Sequence, residues 1–126
     1  MKILCEVSLG ELVDKISILR IKQKKINDGE KIKHVNTEHS ALSATLNSLN
    51  LDNINDYLNK LESTNTKLWE IEDDIRECEM NQDFSSKFIE LARAVYITND
   101  QRFALKNEVN IKYGSSIKEV KSYEEY

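Results

Sequence analysis

The chain is expected to be all-α, either an antiparallel four-helix bundle or two helical hairpins, on three observations. It has no proline and only three glycines among 126 residues, 32% of them charged, which suits long helices and not strands joined by turns. Apolar residues recur at steps of three and four over long stretches, the period of a helix face. The breaks between those stretches are short clusters of Asn, Asp and Gly. A chain of this length accommodates one domain, residues 1–126, around a single core.

The first helix opens at Ser8. Ser8-Leu9-Gly10-Glu11 has the form of a capping box, in which the serine hydroxyl takes an orphan N–H and Glu11 returns the bond. The helix is expected to run to about Asn27 and stop at Asp28-Gly29, with glycine supplying a left-handed turn. Leu12, Ile16 and Leu19 form its main apolar stripe, and Ile18 and Ile21 a second one roughly opposite. Two apolar faces call for burial on both sides. The second face is read either as the contact of a two-fold homodimer or as a surface covered by one of the chain ends.

The second helix, from about Glu30 to Leu49, carries Ile32, Val35, His39, Leu42, Leu46 and Leu49 in a coiled-coil-like seam. Asn50 to Asn53 is a loop ending in residues that cap helices well. The third helix, about Ile54 to Met80, repeats Ile54, Leu61, Leu68 and Ile75 every seven residues. Tyr57, Thr64, Ile71 and Cys78 fill its alternate seam positions, while Trp69 lies off the seam. Asn81-Gln82-Asp83 turns the chain into a fourth helix that continues to Tyr113 and stops at Gly114. Connections this short make successive helices antiparallel neighbours. Lys2 to Val7 alternates as a half-buried strand would, and is expected to form a short N-terminal strand. The tail from Ser116 to Tyr126 reads as irregular, with a two-stranded pairing between the ends as the other reading.

Several classes are disfavoured. A net charge of −4 and a pI near 5.3 argue against nucleic acid as a partner, since that needs a basic field. The cluster Lys22, Lys24, Lys25, Lys31 and Lys33 is read as a solvated helix end. No apolar run approaches the roughly 20 residues that span a bilayer, and Met1 to Leu9 lacks the apolar region of a signal peptide. A cytoplasmic location away from membranes is the expectation. Cys5 and Cys78, the only cysteines, are read as buried thiols of a reducing compartment. With His34 and His39 they lack the spacing of a zinc site, so neither metal nor cofactor is expected.

The segments VSLGELVDKISILRIK (Val7–Lys22), LWEIEDDIRE (Leu68–Glu77), FIELARAVYITNDQRFALK (Phe88–Lys106) and the tail GSSIKEVKSYEEY resemble a family of small proteins of unknown function in bacteria and their phages. The resemblance covers nearly the whole chain and is weakest around His34 to Asn65. It brings no established activity. Some members lie near genes for cell-surface polysaccharides, which is an association and not a mechanism.

The candidate site comes from helical phase. On the fourth helix Phe88, Leu91, Ala92, Val95 and Val109 share one side, and Asn99, Arg102 and Lys106 fall in the same arc. Arg20 on the first helix and Glu72 on the third lie on inward or flanking faces. Buried donors need partners. The five residues therefore form either an ion-pair network that fixes helix register or a pocket in which Arg20, Arg102 and Lys106 hold an anionic small molecule oriented by Asn99 and Glu72. His39 is read as a packed seam residue.

The overall expectation is a binding or assembly module, a homodimer, and not an enzyme. The enzyme alternatives are a metal-dependent nucleotide pyrophosphohydrolase and a chorismate-mutase-like bundle. The ExxD pairs Glu11–Asp14 and Glu70–Asp73 would suit the first. Glu70 and Asp73 point away from the third helix's seam, however, and Glu11 is assigned to its capping box.

Overall fold

A computed structural model describes all residues, 1–126, and contains four helices and no strand: α1 (Leu9–Lys25), α2 (Gly29–Ser48), α3 (Ile54–Met80) and α4 (Ser86–Lys112). Helices α1 and α2 form a short antiparallel hairpin, with Lys15 beside Glu38 and Gln23 beside Asn36. Helices α3 and α4 form a long one, closed at its base by Tyr113, whose hydroxyl donates to the Asp52 carbonyl (2.6 Å). α1 packs against all three other helices, whereas α2 lies along α1. At 1.5 Å of rise per residue, the long hairpin extends well beyond α1, leaving an arm made of the end of α3 and the start of α4.

The common core sits where α1 meets the base of the long hairpin. Leu12, Val13 and Ile16 of α1 pack there with Leu46, Leu58, Leu61 and Val109. α3 faces both α1 and α4, so its buried arc is wider than a two-position seam: Leu58 and Asn65 are buried alongside Leu61, Ile71 and Cys78. None of the four helices is long and apolar enough to cross a membrane.

The helix ends obey local chemistry, with some departures from the expected pattern. Ser8 caps α1, its Oγ accepting from Glu11 N at 3.2 Å. Asp28 does not end α1 but starts α2, its Oδ1 accepting from Glu30 N and Lys31 N at 3.0 Å each. Gly29 is therefore the first residue of α2 and not a left-handed stop, and α1 ends on extended Ile26. Asn53 precedes α3 in a left-handed conformation (φ 61°) without a side-chain cap. Gly114 terminates α4 at φ 67°, a conformation that glycine adopts without strain.

The expected N-terminal strand does not form. Residues 1–7 are exposed, and Cys5 among them is an exposed free thiol where a buried one was expected. Their only candidate partner, the tail, is engaged elsewhere. It runs back along α4, with Glu119 at Lys106, Lys121 over Phe103 and Tyr126 at Asp100. The second stripe of α1 is likewise covered neither by a strand nor by the tail. Ile21 is 2% exposed, and it shares a groove with Leu68 and Trp69 of α3, which also gives that tryptophan its place.

Candidate functional site

The polar cluster lies where α1, α3 and α4 meet, and its centre is Asp14, which the sequence offered only as half of an ExxD pair and not as a member of this cluster. Asp14 is 1% exposed. Its carboxylate accepts from Arg102 in fork geometry, Nε to Oδ1 at 2.9 Å and Nη2 to Oδ2 at 2.6 Å. Asn65 Nδ2 donates to the same Oδ1 at 2.9 Å and to Ser17 Oγ at 2.9 Å. Ser17 Oγ in turn donates to the Asp14 carbonyl at 2.6 Å. Three helices are thus joined through one carboxylate. Bidentate charge-assisted bonds of this kind fix geometry as well as energy.

One turn along α4, Lys106 is buried and makes a second ion cluster. Its Nζ donates to Glu11 Oε2 at 2.8 Å and to Glu119 Oε2 at 3.1 Å. Glu11 therefore does not return a capping bond, the role expected from sequence; its carboxylate reaches across to α4. Of the ExxD pair, Asp14 is buried and Glu11 partly exposed, and each is paired with a cation of α4. Glu70 and Asp73 are both exposed. A third link lies below Lys106, where Asn110 Oδ1 accepts from Gly10 N at 2.7 Å and Ser115 Oγ accepts from Leu9 N at 3.1 Å. These bonds satisfy donors at the start of α1 that a helix leaves unpaired.

Electrostatics follow this geometry. The Asp14 hydrogen bond holds the Arg102 guanidinium above its already high ordinary value, against the opposing effect of burial. For Lys106 burial is the largest influence and favours the neutral amine, but the bonds to Glu11 and Glu119, with the nearby Asp14 charge, outweigh it and raise its pKa.

Of the five expected site residues, three come together. Asn99, Arg102 and Lys106 line one hollow of about 200 Å³ with Phe103, Glu119 and Lys121. Arg20 does not join them: it lies 3.6 Å from Glu62, which also holds Lys24. Nor does Glu72 partner Arg102; it pairs with Arg76 one turn along its own helix at 3.4 Å. Arg102 turns instead toward α1 and Asp14, and shares with Glu72 only the border of the groove between α1 and α3. The stripe Ile18–Ile21 held the missing signal. At about 100° per residue Asp14 and Ser17 share that face, so a carboxylate and a hydroxyl accompany the apolar residues into the junction. Nothing local marks Glu119, because its place depends on the path of a tail without regular structure.

No family model, curated protein or solved structure matches this chain.

Proposed function

We propose that the chain is a binding module whose site is the hollow beside Arg102, and that it accepts a small anionic group such as a carboxylate or phosphate. One observation carries this reading. Asp14 engages Arg102 through Nε and one N–H of Nη2, so the remaining donors, above all those of Nη1, have no partner in the chain. Arg102 borders a hollow shared with Asn99 and with Lys121, which rests over the Phe103 ring at 5.7 Å. A guanidinium clamped from behind is pre-organised for a planar or tetrahedral oxyanion in front. Asp14 cancels much of the arginine's charge but not its outer donors. Recognition would therefore rest on hydrogen-bond geometry more than on net charge, and Glu119 would compete for the same cations.

This reading is tested by titrating the protein with inorganic phosphate while following the Arg102 Nε–H and Asn99 amide signals by NMR. Saturable shifts confined to this hollow, and lost in Asn99→Ala with Lys121→Ala, support it. A titration without saturable shifts overturns it.

A homodimer is the second reading. The set that favours it is now Phe84 and Ile89, 53% and 56% exposed near the turn joining α3 and α4, in place of the covered Ile21. Sedimentation of Phe84→Ser with Ile89→Lys would distinguish a dimer through this tip, which dissociates, from a monomer.

A further inference from the structure

The fold leaves residues 1–7 without partners. No backbone hydrogen bond outside the helices involves them, and neither Lys2 nor Glu6 belongs to an ion pair. Ile3 and Leu4 are 78% and 102% exposed. The segment nonetheless alternates: Met1, Ile3, Cys5 and Val7 take the odd positions, Lys2, Leu4 and Glu6 the even ones. In a strand these sets fall on opposite faces, and the odd face is wholly apolar. Cys5 and Val7 border a hollow of about 420 Å³ with Leu9, Leu12, Leu49 and Ile117. A strand-forming segment with open backbone groups is a template for another strand.

We propose that Met1–Val7 pairs with the same segment of a second copy, as an antiparallel two-stranded ribbon centred on Leu4. The charges select that partner and that register. Lys2 and Glu6 lie two residues to either side of Leu4, so each Lys2 stands opposite Glu6 of the other copy, twice by symmetry. Ile3 then meets Cys5, and Met1 meets Val7. Opposite charges across a strand pair favour it, and like charges oppose it. Parallel pairing would set lysine against lysine and glutamate against glutamate. Centring the ribbon on Cys5 would set Leu4 against Glu6, and centring it on Ile3 would set Lys2 against Leu4. The contact is self-complementary, as a two-fold dimer requires. A lone ribbon is marginal in water, but here the hollow beside Val7 gives its apolar face a surface to settle on. This contact is separate from the Arg102 hollow and from the Phe84–Ile89 tip.

Sedimentation of the full chain in reductant tests the charge register. The expected result is a dimer that Lys2→Glu or Glu6→Lys weakens by at least about tenfold, because either change makes both attractive pairs repulsive. Lys2→Glu and Glu6→Lys together in one chain recreate the opposite-charge pairs, so dimerisation should return. Circular dichroism should stay unchanged throughout, since these residues lie outside the helices. Cross-linking under mild oxidation reads the centre of the ribbon. With Leu4→Cys and Cys5→Ser, the new thiols face each other across the two-fold axis, their Cα atoms about 4.5–5.5 Å apart and within disulfide range. The natural Cys5 thiols lie on a diagonal of about 7–8 Å, and Cys78 is buried, so the parent chain should cross-link far more slowly. A monomer at every concentration, a dimer indifferent to both single changes, no recovery in the charge-swapped chain, or equal cross-linking of variant and parent would each overturn the proposal.

Discussion

Gly10 of α1 lies so close to Lys106 of α4 that a Cβ added at Gly10 would stand 2.4 Å from the Lys106 carbonyl oxygen and 3.0 Å from Asn110 Oδ1. The obstacle is backbone, which cannot swing aside as a side chain can. Gly10→Ala should therefore push α1 off α4 and cost about 1–3 kcal/mol, the range of overpacked cores. Gly29, at the start of α2, meets nothing within 4 Å. Gly29→Ala should instead be neutral or stabilise by up to about 1 kcal/mol. Urea unfolding of the two variants checks the contrast, and equal effects would remove the close approach as its cause.

Arg102→Met leaves Asp14 buried without its main partner. The expected loss is about 3–5 kcal/mol, toward the lower end because water reaches part of the guanidinium. Adding Asp14→Asn should recover a large part, since no charge is then stranded. Adding Glu72→Leu should recover none, because Glu72 pairs with Arg76. A double-mutant cycle across Asp14 and Arg102 measures the coupling.

The covered stripe on α1 gives a test by size. Ile21→Ala should cost about 2–5 kcal/mol, as for other fully buried isoleucines, while Ile18→Asp should leave the fold intact. Loss of the fold in the Ile18 variant would mean that the groove is sealed in solution.

Stability should fall in alkali for an identifiable reason. The folded-state pKa of Lys106 is raised from 10.5. Its contribution is therefore complete below the unfolded value and is lost as pH rises through the folded one. Tyr126, raised from 10.0 by its bond to Asp100, acts in the same direction. Denaturant midpoints followed from neutral pH upward should decline in that window, and less steeply in Lys106→Met with Tyr126→Phe. A pH dependence unchanged in the double variant would remove both groups as its source.

The helices were legible in the sequence because they depend on near neighbours: α3 spans Ile54–Met80 as its heptads imply, and Ser8 and Gly114 mark ends by local chemistry. The site was only partly legible. Phase placed Asn99, Arg102 and Lys106 inward, but phase does not state the angle at which α1 crosses the long hairpin. That angle delivers Asp14 and Asn65 to Arg102 and leaves Arg20 beside Glu62. The strand expected at Lys2–Val7 failed for a related reason: alternation signals a strand only where an edge is available to pair with.

The ties between α1 and α4 also bear on how the molecule assembles in time. Leu9–Ser115, Gly10–Asn110 and Asp14–Arg102 join residues 106, 100 and 88 positions apart. The α3–α4 hairpin can close through the short turn around Gln82, but these bonds must wait until both ends of the chain meet. Docking of α1 is therefore expected to come late, with the α1–α4 bonds largely unformed at the folding barrier. Weakening the Asp14–Arg102 bond would mainly hasten unfolding and leave the folding rate nearly untouched. The junction that joins three helices thus acts as a latch on the finished fold, governing how long it lasts more than how quickly it forms.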